Sequence, residues 1–185
     1  MHLVLASASP RRRALLEAAG IACTVDVVAV DERRRAGESP PAYVERLALE
    51  KAERVAARHP DRLVLGADTA VVVDDLVLGK PVDDADAVRM LRLLAGRAHE
   101  VLTGFAIIGR GQRVSAVEQT TVWFSSLTEP EIASYVASGE PRDKAGAYAI
   151  QGLASAFVPR IAGSYANVVG LPVAAVSDAL RRLGG

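Results

Sequence analysis

The chain has 185 residues, half of them hydrophobic and about a quarter charged, and 22 basic residues balance 22 acidic ones. That length suits one domain, or two lobes sharing a core, and the zero net charge excludes the basic footprint of a protein built for long nucleic acid. Cys23 is the only cysteine, which excludes an intrachain disulfide and a cysteine zinc site and fits a reducing cytoplasm, and no apolar run nears the roughly 18 residues of a membrane helix.

Residues 2–6 (HLVLA) predict a short apolar strand. Apolar residues precede Arg11, Arg12 and Arg13, the reverse of a signal peptide's order. Ser9 offers an N-cap and Pro10 a first helical residue, for a helix over 11–19 that Gly20 ends. Residues 22–30 (ACTVDVVAV) suggest a second strand, followed by the polar loop 31–39. Ser39, Pro40 and Pro41 open a long helix to about His59, with Val44, Leu47, Ala48, Ala52 and Val55 along one face.

Residues 62–73 form an apolar run broken by Gly66-Ala67-Asp68-Thr69, and Asp74-Asp75 predict a tight turn into residues 76–78. Asp83 or Asp84 caps a helix to Leu94, which Gly96 stops. Residues 98–108 and 113–124 are β-rich and joined by Gly109-Arg110-Gly111-Gln112, a hairpin signal. Thr128-Glu129-Pro130-Glu131 is a capping box whose helix ends at Gly139. Residues 140–170 are rich in glycine and small residues, with a β-like AFVPRI inside, and Pro172 opens a last helix. Strands alternating with helices, interrupted by a long hairpin, predict an α/β fold with a mixed sheet.

Four segments carry candidate chemistry. In Ala6-Ser7-Ala8-Ser9-Pro10-Arg11-Arg12-Arg13 a strand runs into a helix N-terminus, where free N–H groups and the dipole favour an anion. First-turn arginines oppose that dipole unless an anion is bound; the plainer reading is a capped surface helix. Asp68, read as the end of a strand over 63–65, can hold Mg²⁺ or take a proton from water, or can simply form an Asx turn. Nineteen of the basic residues are arginine and three are lysine, so Lys51 and Lys80 stand out against the bias as partners for phosphate oxygens. The loop 139–152 places Gln151 where one donor and one acceptor can read a base edge, unless it is an ordinary surface loop. The chain has no GxxxxGK[ST] phosphate loop, and His2, His59 and His99 form no metal triad.

Together LASASPRR, ERLALEKA, GADT, LGKP, HEVLTG, SGEPRDKAGAYAIQG and GSYANVVGLP, in this order from Leu5 to Pro172, resemble the Maf family of nucleoside triphosphate pyrophosphatases. The resemblance implies a single domain over 1–185 with a mixed twisted sheet in two lobes around a central cleft, related to the ITP/XTP pyrophosphatases. It implies hydrolysis between the α and β phosphates with a divalent cation, Mg²⁺ or Mn²⁺, in a cytoplasmic house-cleaning role, and a homodimer by analogy. The family's catalytic aspartate matches Asp68. Its phosphate-binding positions fall on Ser7, Arg12, Lys51 and Lys80, and its loop acid, a metal ligand with Asp68, on Glu32. Arg11, Thr69 and Gln151 match the branch acting on dTTP and UTP, whereas the 7-methyl-GTP branch carries Trp and Glu at the first and last of these. An amide suits a uracil edge, which agrees. The alternatives are another base with the same chemistry, or a nucleotide-binding regulator of cell division, as the family's older description, septum formation inhibitor, suggests.

Overall fold

A computed structural model describes residues 3–184. His2 therefore lies outside the described residues. In chain order the elements are β1 (Leu3–Ala6), α1 (Pro10–Ala18), β2 (Cys23–Val25), α2 (Pro40–Ala56), β3 (Leu63–Val73), β4 (Leu76–Leu78), α3 (Asp84–Leu94), β5 (Ala98–Gly109), β6 (Gln112–Trp123), α4 (Glu129–Ala137), β7 (Arg160–Ala162), α5 (Tyr165–Val169) and α6 (Val173–Gly184). The strands form a mixed sheet in the order β2-β1-β3-β5-β6-β7, with β4 on β3. Among the described residues no helix is long and apolar enough to cross a membrane.

The chain divides into two compact units, and the boundary falls within β3, β5 and β6. The first unit holds the residues up to Thr69, Thr103–Glu118 and those from Gly170 on. Here β1 lies between β2 and β3 and is parallel to both. Strand periodicity sends alternate side chains to opposite faces. Leu3, Leu5, Leu63, Leu65, Phe105 and Ile107 join Leu16 of α1 and Val176 and Leu180 of α6 in one buried cluster. Val4, Ala6, Val64 and Ala106 meet Ala48, Ala52 and Val55 of α2 in another. One face is built of large side chains and the other of small ones.

The small face lets α2 come close. A Cβ added to Gly66 would stand within 3 Å of the Ala48 carbonyl oxygen and the Ala52 amide nitrogen, and one added to Gly104 within 3 Å of the Val44 carbonyl. Both obstacles are main chain, which cannot swing aside as a side chain can. The apolar stripe read from the sequence is the stripe that is buried: Val44, Leu47, Ala48, Ala52 and Val55.

The second unit holds residues Ala70–Leu102 and Gln119–Val169. Asp74 and Asp75 both take positive φ, 49° and 62°, and turn β3 into the antiparallel β4, as expected. Asp83 caps α3 through Asp86 N, and Thr128 with Glu131 forms the full capping box of α4. His99, Phe124, Tyr135, Tyr148 and Phe157 pack edge-to-face in a chain of ring contacts.

Three elements depart from the sequence expectation. The strand expected over 22–30 stops at Val25, because its one neighbour β1 ends at Ala6 and offers pairing only through Leu5. Beyond it the Asp26 carboxylate turns to Arg58 and His59. Asp68 is not at a strand end: β3 runs unbroken from Leu63 to Val73. Its pairing with β1 ends at Gly66 and that with β4 begins at Val71, so residues 67–70 have neither strand beside them. The loop expected over 139–152 contains two 3₁₀ turns, a third covers Leu153–Phe157, and of the β-like AFVPRI only Arg160 and Ile161 enter a strand, β7.

Two predictions follow from this packing. Gly66→Ala should cost about 3 kcal/mol, read as a lowered denaturation midpoint, because the methyl group meets helix backbone; an unchanged midpoint would deny the close approach. His99 is buried, with Nε2 2.8 Å from the Tyr148 hydroxyl and Nδ1 without a hydrogen-bond partner among the described residues. Burial lowers its pKa from 6.5 to about 4. Between those values the unfolded chain binds more protons than the folded one, so acid destabilises, by roughly 3 kcal/mol when the window is fully crossed. Melting temperature should therefore fall from pH 7 to 4.5, and fall less in His99→Asn; equal slopes would remove His99 as the source.

Candidate functional site

Val64 of β3 packs on α2, and the two-residue period of a strand puts Gly66 and Asp68 on the same side. Gly66 brings α2 down at Ala48 and Ala52, and Lys51 lies beside Ala52 on that helix. The result is a short ion pair: Lys51 Nζ donates to Asp68 Oδ1 at 2.6 Å. It also donates to Glu32 Oε1 at 2.8 Å. The Lys51 and Asp68 side chains are only 13% and 15% exposed, whereas Glu32 is 63% exposed, so the pair sits at the inner end and the glutamate at the open end. Two carboxylates around one ammonium leave a net negative centre, which repels an anion until another cation joins it.

Arg12 of α1 is buried and lies within the field of Asp68. Its Nε donates to the Gly170 carbonyl at 2.8 Å, Nη1 to Ser7 Oγ at 2.9 Å and to the Ala67 carbonyl at 2.8 Å, and Nη2 to Thr69 Oγ1 at 3.0 Å. These bonds engage four of a guanidinium's five N–H groups. Burial lowers the Arg12 pKa, and the field of Asp68 works in the opposite direction. Two carbonyls and two hydroxyls thus take up the cation that the helix dipole disfavours. Ser7 Oγ also accepts from Ser9 N, while the Ser9 side chain makes no cap bond of its own. The Thr69 hydroxyl contacts Thr103 Oγ1 at 2.9 Å and the Gly170 carbonyl at 3.3 Å. Arg11, next in line, is half-buried.

Ser7, Arg12, Glu32, Lys51, Asp68 and Thr69 all belong to the first unit. Lys80 and Gln151 belong to the second, where both are exposed. Gln151 follows a segment that is anchored at several points. Tyr148 is buried against His99 and Phe124, and the Gly146 amide donates to the Gly79 carbonyl next to Lys80. Glu140 accepts from the Tyr135 hydroxyl at 2.7 Å, Leu153 N at 2.9 Å and Ala154 N at 3.4 Å. Sequence reasoning passed over Glu140 and His99. The HEV context carried no signal that His99 is buried, and the GEP context none that Glu140 accepts from main-chain amides.

Among the described residues no three His, Cys, Asp or Glu side chains gather as a metal-holding group; Glu32 and Asp68 are a pair, joined through Lys51.

A family model described as Maf-like protein matches residues 2–183. The chain is 52% identical over 180 residues to a dTTP/UTP pyrophosphatase of Desulfotalea psychrophila, covering 96% of this chain and 92% of that one. It is 50% identical over 184 residues to a dTTP/UTP pyrophosphatase of Koribacter versatilis, covering 100% and 95%. Among solved structures, a HAM1 protein from Coxiella burnetii shares the fold at a TM-score of 0.55 and 14% identity, over 98% of this chain and 99% of that one. A match that runs almost from end to end, with about half of the aligned positions identical in relatives covered over more than nine-tenths of their length, makes this chain a member of the Maf family.

Proposed function

We propose that this chain hydrolyses dTTP and UTP to the nucleoside monophosphate and pyrophosphate. The observation that carries the reading is the Lys51 ammonium held between Asp68 and Glu32, with the buried Arg12 guanidinium within the field of both carboxylates. The curated relatives named for that activity support the choice of substrate.

The two carboxylates fit a divalent cation. Mg²⁺ is commonly held by one or two carboxylates, with substrate phosphates and waters completing its shell. Glu32 and Asp68 would hold it, and bound there it would neutralise charge on the triphosphate. The chain's own groups do the rest. Asp68 accepts the proton of the attacking water as the water oxygen bonds to the α-phosphorus. The α–β bridging bond breaks, and its electron pair leaves with pyrophosphate. A carboxylate is a weak base, so positioning and electrostatics carry much of the rate. Lys51 has a third N–H for a phosphate oxygen, and Ser7 keeps its hydroxyl proton after accepting two bonds. Arg12 contributes chiefly as fixed positive charge, since at most one N–H remains for a ligand. Lys80 supplies a second ammonium to the leaving pyrophosphate. Gln151 pairs with the uracil or thymine edge, while Arg11 and Thr69 shape the discrimination, Thr69 by holding Arg12. The cytoplasmic nucleotide pool is the setting this substrate implies.

Asp68→Asn should keep the fold and nucleotide binding and lose about 10²–10⁴-fold in kcat, the usual worth of a positioned base. Near wild-type pyrophosphate release by that variant would end the assignment. A panel of dTTP, UTP, CTP, GTP and 7-methyl-GTP ranked by kcat/KM should place dTTP and UTP first. Removal of divalent metal by chelation should abolish turnover.

A further inference from the structure

The loop over 31–38 (DERRRAGE) carries Glu32 but has only Ala36 as an apolar non-glycine residue, and Ala36 is exposed. No hydrophobic contact of its own can hold it, so its shape depends on polar bonds. These come from one helix, α2. Arg46 Nη1 donates to the Asp31 carbonyl at 3.4 Å and Nη2 to the Arg33 carbonyl at 3.1 Å. The Tyr43 hydroxyl donates to the Glu32 carbonyl between them at 2.9 Å. Arg46 also grips Glu38 with both arms, Nε to Oε1 at 2.6 Å and Nη2 to Oε2 at 3.0 Å, and reaches Glu50 at 3.3 Å. Arg46 and Glu38 are only 12% and 9% exposed, an enclosed fork on a loop that is otherwise open to solvent. Glu38 in turn accepts from Arg35 N at 3.0 Å, and its own carbonyl takes Arg34 Nε at 2.7 Å, closing the loop on itself.

We propose that Arg46, assisted by Tyr43, is a positioning residue that clamps the three successive carbonyls 31–33 to α2 and so presents the Glu32 carboxylate to Lys51 and Asp68. The helix that supplies the ammonium thereby also supplies the brace for the acid facing it. That the brace serves metal and triphosphate binding rests on the function proposed above; that it orders the loop does not.

The test compares Arg46→Met, Arg46→Met/Glu38→Gln, Arg46→Lys and Tyr43→Phe with wild type by amide hydrogen exchange and by UTP hydrolysis at varied Mg²⁺. The double variant removes the carboxylate that Arg46→Met alone would strand, and Tyr43→Phe removes a single bond should the others unfold. Amides of residues 33–38 should exchange at least about 10-fold faster in the Met variants, while those of α2 and β3 stay protected. The Mg²⁺ concentration for half-maximal rate should rise about 10-fold, with KM for UTP at saturating Mg²⁺ changed by less than about twofold. Arg46→Lys should not rescue, because one ammonium cannot make the fork and reach both carbonyls. Tyr43→Phe should loosen the same amides to a smaller extent. Unchanged exchange over 33–38 in a folded variant, or full rescue by lysine, overturns the proposal. A wild-type protein that releases no pyrophosphate sinks the proposed function instead, and the exchange measurement alone then decides the clamp.

Discussion

The approach of α2 onto β3 at Gly66 is the constraint from which the rest of the first unit follows. With no side chain at that position, helix main chain lies where a methyl group would otherwise stand. Lys51 then reaches Asp68 with a bond of 2.6 Å instead of extending into solvent. The neighbouring small residues, Ala48, Ala52, Ala6 and Ala106, keep the whole interface shallow. The opposite face needs no such economy and is filled by leucines and Phe105.

Charge is handled differently at the two levels of the site. Deep down, Arg12 is enclosed and its guanidinium is met by carbonyls and hydroxyls, neutral acceptors that leave its positive charge uncancelled. Nearer the surface, Lys51 is over-matched by two carboxylates. The buried guanidinium thus has neutral acceptors, while the ammonium is shared by two carboxylates. Asp68 lies within the stretch 67–70 of β3 that neither β1 nor β4 pairs.

In the second unit the specificity candidate Gln151 owes its place to buried neighbours rather than to its own bonds. Tyr148 and His99 lie among aromatic rings, and Glu140 ties the following turn through main-chain amides. A similar arrangement appears around Glu32, where Tyr43 and Arg46 of α2 hold the backbone of the loop and Lys51 of the same helix meets the carboxylate. In both places an exposed polar side chain rides on a peptide segment held by its neighbours.

The sequence by itself determined whatever depends on local chemistry. The apolar stripe of α2, the Asp74-Asp75 turn, the hairpin after β5, the Thr128 capping box and the ordered family motifs were all legible, because spacing and residue type suffice for them. Tertiary structure alone decided what depends on a neighbour remote in the chain. β2 stops where β1 runs out; Asp68 sits mid-strand because β4 takes up β3 beyond the gap; α5 forms in a stretch too short to show a period. The motif around Arg12 does not say which groups its guanidinium meets, and Arg46 looks in sequence like many other arginines of this arginine-rich chain. Only the fold brings carbonyls from residues 67 and 170 to the one and from 31 and 33 to the other, since a hydrogen bond needs both partners within about 3 Å and one-dimensional spacing records neither.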